Sequence, residues 1–390
     1  MNRIRWGMVG GGAGGFIGEV HRMAARLDNR YQLIAGALSS DPARARHSAH
    51  ECGIRRDRTY TDYLAMAEAE SSRPDGIEAV TIATPNASHH AIAAAFLDHG
   101  IHVICDKPLA TRLDDGRDLV ARAAKADRLL CVTYNYSGYP MIRHARTLLA
   151  EGLIGRLRIV QSEFALGWLA VPLEREGVKQ AWRTDPKEAG PSGVVADIGT
   201  HAYHLARFVT GLEVDQLAAD ISTFVPLRKL EDNAMILLRF KGGARGTVWA
   251  SMVAAGETVG FRLRVYGETG HIAWDQAYPD QLHLHLLDGT DQTLHRGGAL
   301  SPYAKAATRL VAGLPEGFIE AFANLYGDYA EQIIAKRENR APDPLSLHAP
   351  MGAEGIEGLA FVDAVLKSAQ AGSGWIAPES VSDSRSPPRD

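Results

Sequence analysis

The spacing of hydrophobic and polar positions changes partway along this chain. Through about the first 135 residues, short apolar runs alternate with stretches of helical period. The apolar runs predict strands at residues 4–9, 31–38, 79–84, 102–105 and 129–133, and the stretches between and after them predict helices at 16–27, 41–51, 87–99 and 113–126. Strands that alternate with helices in this way are typical of a parallel, doubly wound sheet.

After Gly152 the pattern becomes one of longer, alternating strands separated by turn residues. Strands are predicted at 158–164, 216–223, 233–240, 246–253 and 261–266, with helices at 197–211, 316–336 and 353–369. Because few helices interrupt these strands, a mostly antiparallel sheet is expected. The fold class is therefore α/β followed by α+β.

Length and composition agree with two domains. At roughly 150 residues per domain, 390 residues suggest two or three. The predicted boundaries are 1–150 for the first domain and 151–379 for the second, with a frayed tail at 380–390 that is rich in Ser, Pro and Asp. A hydrophobic content of 46% excludes a mainly disordered chain, and a net charge of −4 gives no reason to expect nucleic acid as a partner.

The cysteines and the N-terminal residues bear on location. The three cysteines are scattered and predict neither a disulfide framework nor a zinc site, which favours a reducing compartment. No apolar run reaches the roughly 18 residues of a membrane span. Glycines interrupt the apolar run near the N-terminus, so a signal peptide is not expected, and we predict a cytoplasmic protein without a membrane partner.

The glycine-rich segment after the first strand is the strongest local motif. Gly10, Gly12 and Gly15 form the pattern G-x-G-x-x-G between a predicted strand and a predicted helix. This is the context in which such a loop lets the backbone approach a pyrophosphate at a helix N-terminus. A flexible glycine turn is the alternative, and the position at the start of a βαβ pattern favours the dinucleotide.

The end of the second strand is less regular. Ser39 occupies the position at which an acidic residue would bind the adenosine ribose, and Ser40, Asp41 and Arg44 follow it. Ser39 with Arg44 would tolerate a 2′-phosphate. Asp41 could serve a ribose diol, but capping of the following helix is the stronger interpretation.

Two further motifs carry chemistry. Asp106-Lys107-Pro108 ends an apolar strand, where Lys107 could reach into a ligand cleft or simply lie exposed in a loop. Asp197 and His201 lie four residues apart, on one face of a helix if the segment is helical. A carboxylate beside an imidazole suits a general base, although a helix-start Asp with a hydrogen-bonded core His fits equally well. A metal site that adds His204 is not predicted, since no further ligand accompanies it.

Together these residues resemble the Gfo/Idh/MocA oxidoreductases, which include inositol dehydrogenases and glucose–fructose oxidoreductase. The similarity covers nearly the whole chain, and each motif is weak alone. It is carried by the glycine loop, Thr84-Pro85-Asn86 with His89, Asp106-Lys107-Pro108, Trp182-Arg183, and the segment from Gly193 to His201. Asp106 replaces the usual Glu, and His204 replaces a common Asp.

The resemblance implies that residues 1–150 form a Rossmann dinucleotide-binding domain. It also implies that residues 151–379 form a substrate-binding and oligomerisation domain, whose open sheet forms the contacts of a homodimer or homotetramer. It implies NAD as cofactor, with NADP left open, and a catalytic trio of Lys107, Asp197 and His201. The implied cofactor-binding residues are Gly10, Gly12, Ala13, Gly15, Ser39, Ser40, Asp41, Arg44, Thr84, Pro85, Asn86, His89, Asp106, Lys107, Trp182 and Arg183. The substrate-binding candidates are Lys107, Tyr136, Lys179, Asp197, His201 and His204. For Tyr136, a place in the aromatic core is the alternative.

The function that the resemblance implies is oxidation of a secondary hydroxyl of a cyclic polyol or sugar by hydride transfer, with His201 as general base. Inositol or an aldopyranose is the expected substrate. A dinucleotide-binding sensor without activity, or an oxidoreductase of glycosides or keto-sugars, is the alternative. The extended loop at 167–180 is expected to line the substrate pocket or an interface.

Overall fold

Five short strands form the first sheet of the computed structural model, which describes residues 3–172 and 181–380. They are β1 (Ile4–Gly10), β2 (Tyr31–Ala37), β3 (Ala79–Ala83), β4 (His102–Cys105) and β5 (Leu130–Val132). All pair in parallel, in the order β2-β1-β3-β4-β5. The chain therefore reverses its direction across the sheet between β1 and β3, and ligands of open α/β sheets bind at the carboxyl ends of the strands at such a point.

The helices between these strands are α1 (Phe16–Leu27), α2 (Pro42–Glu51), α3 (Tyr63–Ser71), α4 (His89–Asp98) and α5 (Leu113–Ala126). Helix α3 was not predicted. Leu64 is exposed and Glu70 is buried, so its hydrophobic positions form no clear helical stripe. Asp62 caps it through hydrogen bonds from the backbone N–H groups of Leu64 and Ala65.

A late part of the chain packs against this first sheet. Helices α9 (Pro302–Ala306) and α10 (Phe318–Arg337) lie here, and Tyr326 of α10 makes edge-to-face contacts with Trp6 and Tyr31 at ring-centroid distances of 6.1 and 5.2 Å. The Tyr326 hydroxyl also lies 2.7 Å from Thr81 Oγ1. These buried contacts bring a remote segment into the core of the first unit.

The first compact unit therefore consists of Met1–Ala110, Asp114–His144 and Arg296–Gly352. The second comprises Thr111–Leu113, Ala145–His295 and Ala353–Asp390. The sequence predicted continuous domains divided at residue 150. The compact units differ from that division because the aromatic residues of α10 are buried against β1 and β2.

An eight-stranded sheet dominates the second unit, with the order β13-β12-β11-β10-β6-β9-β8-β7. All its pairs are antiparallel except β6 with β9, in agreement with the predicted mostly antiparallel sheet. The strands are β6 (Ile159–Ala165), β7 (Val214–Ser222), β8 (Asn233–Phe240), β9 (Arg245–Ser251), β10 (Gly260–Tyr266), β11 (Gly270–Asp275), β12 (Gln281–Leu286) and β13 (Asp291–His295). The remaining helices are α6 (Pro140–Ala150), α7 (Pro186–Ala189), α8 (Thr200–Thr210) and α11 (Gly352–Gln370).

Strands β11 to β13 were missed by the sequence analysis. They alternate between the two faces of the sheet, with Leu282 and Leu284 buried on one face. The other face carries histidines, and the rings of His271 and His285 stack at 4.6 Å. The alternation of leucine with histidine in β12 is the period of an amphipathic strand, so this signal was present in the sequence and was overlooked. Among the described helices, none has the length and apolar character needed to cross a membrane.

Candidate active site

The loop after β1 is shaped by glycines at which a side chain would not fit. Gly10, Gly11 and Gly14 have φ of +75°, +62° and +76°, which favour glycine. A Cβ on Gly12 would lie 2.6 Å from the Leu38 carbonyl oxygen, so residue 12 must be glycine as well. The result is an open backbone cradle between β1 and α1, which fits the pyrophosphate of a dinucleotide.

Three residues outside the predicted motif hold this loop. The backbone N–H of Ala13 donates to Ser48 Oγ at 2.9 Å, and the Arg22 guanidinium donates to the Gly11 carbonyl oxygen. Gly18 of α1 packs directly on Gly11, with no room for a Cβ. Gly18 therefore provides a close contact between the helix and the loop that the sequence analysis did not identify, whereas the backbone of Gly15 is extended.

The residues at the end of β2 act first on their own backbone. Ser39 Oγ accepts a hydrogen bond from the Asp41 N–H at 3.2 Å. Asp41 Oδ1 accepts one from the Arg44 N–H at 2.7 Å and so caps α2, as the favoured interpretation of Asp41 predicted. Ser40 and Arg44 are exposed. Ser39 is partly buried, and no acidic side chain occupies its position.

The turn after β4 is held from two sides. The Asp106 carboxylate accepts hydrogen bonds from the Lys107 N–H at 2.9 Å and from Thr133 Oγ1 at 3.0 Å. The Lys107–Pro108 peptide bond is cis. This arrangement fixes the backbone from which the half-buried Lys107 side chain extends.

His89 connects two turns at neighbouring strand ends. Its ring is fully buried, and its two nitrogens lie 2.7 Å from the Pro108 carbonyl oxygen and 2.9 Å from that of Thr84. Pro85 and Asn86 directly follow Thr84. The sequence predicted that His89 binds the cofactor, and this stays a prediction. Both ring nitrogens contact backbone carbonyl oxygens, so His89 supports the Thr84 and Lys107 turns.

Tyr136 was predicted to contact substrate, with a place in the aromatic core as the alternative. It is buried, and its ring lies 6.1 Å from Tyr139 in a stacked arrangement and 6.2 Å from Phe318. These contacts favour the core alternative.

The Asp197–His201 motif lies where a π-helical turn, Val195–Gly199, leads into α8. His201 is buried, and its ring centroid lies 6.2 Å from that of Phe164 on β6. His204 follows one turn later and stacks on Phe208 at 5.8 Å. The predicted helix therefore exists, with a wider first turn than an α-helix.

Asp197 has a partner that the sequence analysis placed elsewhere. Arg183 Nε lies 3.5 Å from Asp197 Oδ2, with both side chains about 30% exposed. The Arg183 guanidinium also lies over the rings of Trp182, at 4.6 Å, and Trp168, at 5.9 Å. Arg183 and Trp182 were predicted to bind the cofactor, and this stays a prediction. The structure shows Arg183 beside the Asp197 carboxylate and over the ring of Trp182.

The catalytic candidates are divided between the compact units. Lys107 belongs to the first unit, and Asp197 and His201 belong to the second. Lys179, the remaining substrate-binding candidate, is outside the described residues. Within residues 3–172 and 181–380, no group of three or more His, Cys, Asp or Glu side chains could hold a metal ion.

Comparison with known proteins identifies the class of this molecule. Residues 4–134 match the model of an oxidoreductase family with an NAD-binding Rossmann fold, and residues 142–273 match the GFO/IDH/MocA C-terminal domain. The molecule is thus an NAD-binding oxidoreductase, and the chain belongs to the Gfo/Idh/MocA family. The predicted family, fold class and NAD cofactor are confirmed.

Individual relatives agree along nearly the whole chain. The uncharacterized oxidoreductase YfiI of Bacillus subtilis is 37% identical over 378 residues, 96% of each chain. An inositol dehydrogenase homologue from Azotobacter vinelandii, solved with NADH and myo-inositol, is 38% identical with a TM-score of 0.90 over 96% of this chain and 98% of that one. Levoglucosan dehydrogenase of Pseudarthrobacter phenanthrenivorans is 28% identical over 78% of this chain and 83% of its own.

Proposed function

We propose that this oxidoreductase is a dehydrogenase that oxidises a secondary hydroxyl of a cyclic polyol or sugar to the ketone or lactone. Inositol or an aldopyranose is the proposed substrate. The observation that carries the proposal is the start of α8, where a buried His201 follows an Asp197 carboxylate that is paired with Arg183. Relatives that act on levoglucosan or bind myo-inositol support the class of substrate.

The dinucleotide is proposed to bind at the carboxyl end of the first sheet. The glycine cradle would hold its pyrophosphate, with Ala13 and the Ser39 to Asp41 segment toward the adenosine ribose. The turns at Thr84 and Asp106 would border its nicotinamide end. When bound, NAD supplies the acceptor for a hydride. Because Ser39 is not acidic, NADP is not repelled there, but the exposed Arg44 offers a phosphate little; NAD is the proposed coenzyme.

Proton transfer is assigned to this chain's own side chains. An imidazole nitrogen of His201 takes the proton of the substrate hydroxyl as general base. The Asp197 carboxylate orients the ring and favours its protonated form, while Arg183 keeps the carboxylate in place. The Lys107 ammonium donates a hydrogen bond to the reacting oxygen and stabilises negative charge that develops on it.

Self-association through the open face of the large sheet is also part of the proposal. Met235 and Leu237 of β8 are more than half exposed, and with Trp249 and Trp375 they line an apolar groove of about 610 Å³. Exposed apolar surface of this kind marks interaction sites. A homodimer or homotetramer would cover it, and light scattering on wild type and Leu237→Glu tests this.

A cytoplasmic location is also proposed, because Cys52, Cys105 and Cys131 are free thiols.

A substrate panel tests the proposed reaction. Inositols, aldoses, glycosides and levoglucosan are offered with NAD⁺ or NADP⁺, and the absorbance of the reduced nicotinamide is followed. We expect reduction with at least one cyclic polyol or pyranose. Turnover of glycosides alone would favour the glycoside-oxidising alternative. Tight dinucleotide binding in a calorimeter without turnover of any compound would contradict the dehydrogenase.

A further inference from the structure

Glu231 lies far in sequence from the catalytic candidates but contacts the segment that carries them. It is 7% exposed, and its Oε1 accepts hydrogen bonds from Ser192 Oγ at 2.5 Å, the Gly193 N–H at 2.8 Å and the Val195 N–H at 3.3 Å. The Val194 N–H donates to the Glu231 carbonyl oxygen at 3.1 Å. The four consecutive residues 192–195, which shortly precede Asp197, thus all donate hydrogen bonds to one glutamate.

These donors are the ones that a helix start leaves without partners inside the helix. A residue within the segment usually caps them. Here Ser192 Oγ accepts one such bond, from the Ala196 N–H at 3.3 Å, while its own O–H donates to Glu231. The Asp197 N–H then donates to the Gly193 carbonyl oxygen at 3.0 Å. Through these contacts of Ser192 and Gly193, the position of Glu231 therefore sets the backbone position of Asp197.

The loop that presents Glu231 is itself fixed by buried charges. Asp232 is 1% exposed and accepts hydrogen bonds from the Phe224 and Val225 N–H groups and, at 3.2 Å, from Arg228 Nη1. Arg228 Nη1 also donates to the Leu169 carbonyl oxygen at 2.9 Å. The glutamate is therefore held on a rigid support. A Cβ at Gly193 would lie 2.5 Å from the Glu231 carbonyl oxygen, so the contact also requires glycine there.

Such an arrangement is a costly way to stabilise a fold. Burial raises the pKa of Glu231, whereas the hydrogen bonds from Ser192, Val195 and Gly193 lower it. A buried carboxylate destabilises the folded state unless its oxygens accept hydrogen bonds. An apolar group of similar volume at the same place often stabilises the fold equally well. What an apolar group cannot do is fix the direction of several N–H groups at once.

We propose that Glu231 is a positioning residue for the reaction, which fixes the helix start so that Asp197 meets the His201 ring. This inference rests on the proposed function, because it assigns Glu231 a role through those two residues. In Glu231→Gln an amide NH₂ or a neutral oxygen replaces the carboxylate. The helix start is then displaced, and the support that Asp197 gives to protonated His201 weakens.

The test combines kinetics with histidine NMR on the full-length protein. In Glu231→Gln we expect kcat to fall roughly 10-fold to 100-fold, as for misplacement by about an ångström, with little change in KM. His201 should take up its proton at a lower pH, so the acidic limb of the kcat profile moves to lower pH. The imidazole ¹⁵N signals of His201, assigned with His201→Gln, report the same shift without any substrate.

Two variants complete the test. Glu213→Gln removes an exposed glutamate of the same unit that pairs with Lys241, and it should leave both readouts unchanged. Ser192→Ala deletes one donor to Glu231, gives a smaller shift in the same direction, and decides the matter if Glu231→Gln does not fold. Folded variants with wild-type His201 titration would overturn the positioning role. Failure of the substrate panel together with a displaced titration would contradict only the proposed function.

Discussion

The glycine loop of the first unit and the helix start of the second unit are both held in a fixed conformation, but by different kinds of contact. The loop is held by its backbone conformation. Its essential residues lie between Gly10 and Gly18, and Ser48 supports them. The helix start is held by side chains from other segments. Arg183 pairs with the carboxylate of Asp197, and Glu231 accepts hydrogen bonds from the N–H groups before it. The conformation of the glycine loop is thus encoded locally, whereas placement of the proposed catalytic residues depends on tertiary contacts.

The largest expected effect lies in the second unit. His201→Ala removes the proposed base, and kcat should fall by roughly 10²–10⁴-fold, the range for a positioned general base. The affinity for NAD, measured by calorimetry, should remain because the glycine loop is in the other unit. His295→Ala, at an exposed position on β13, is the control. Near-normal turnover by His201→Ala would remove the residue from the mechanism.

Lys107 tests whether the first unit contributes more than cofactor binding. Lys107→Met keeps much of the side-chain length but loses the charge and the hydrogen-bond donors. We expect turnover to fall about 10²-fold, as when one donor to a developing negative charge is removed, with an unchanged Tm. Lys125→Met on the exposed face of α5 is the matched control. A large loss of Tm with full activity per folded molecule would make Lys107 structural.

Two glycines of one loop test how local the cofactor site is. In Gly12→Ala the new Cβ would lie 2.6 Å from the Leu38 carbonyl oxygen, so the loop must move and NAD should bind about tenfold more weakly or worse. In Gly15→Ala the nearest atom, at 3.1 Å, is the Gly12 carbonyl oxygen, and the backbone at residue 15 is extended. This variant should bind NAD nearly as wild type does. Equal losses in calorimetry would break the distinction.

Ser39 tests the coenzyme preference. Ser39→Asp should lower kcat/KM for NADP⁺ selectively, because a carboxylate repels the 2′-phosphate at short range in a partly desolvated site. The measurement is the ratio of kcat/KM for NAD⁺ and NADP⁺ in wild type and variant. An unchanged ratio would mean that Ser39 does not face the ribose. A wild-type ratio strongly in favour of NADP⁺ would overturn the preference for NAD.

The last prediction concerns stability rather than turnover. Burial, with contributions from Arg128 and Lys336, lowers the pKa of His102 from 6.5 to about 3, and its Nδ1 accepts a hydrogen bond from the Leu129 N–H. The folded-state pKa lies below that of the unfolded chain. The contribution of His102 to stability is therefore complete above pH 6.5 and is lost as the pH falls toward 3.

Urea unfolding at several pH values measures this contribution. Over this range the free energy of unfolding of wild type should decrease more steeply than that of His102→Gln, by up to about 1.4 kcal/mol per pH unit. Groups that titrate in both proteins cancel in the difference. Parallel curves would show that His102 is not held neutral by burial.

The sequence by itself determined the alternation of strands and helices, the change to a mostly antiparallel sheet, and the glycine loop. Each of these depends on residues close together in the chain, through side-chain period or backbone conformation. The family and the NAD cofactor followed from several such motifs taken together. Asp197 and His201 could be selected for the same reason, since four-residue spacing is a local property of a helix.

Only the tertiary structure decided which residues surround those motifs. It placed α10 with the first sheet, turned His89 toward two backbone carbonyl oxygens, and brought Arg183 and Glu231 to the start of α8. No local pattern contains these pairings, because they depend on the burial of a polar group against a partner that the chain supplies from far away. A buried donor or acceptor must find such a partner in the folded state, and sequence spacing does not show which one it finds.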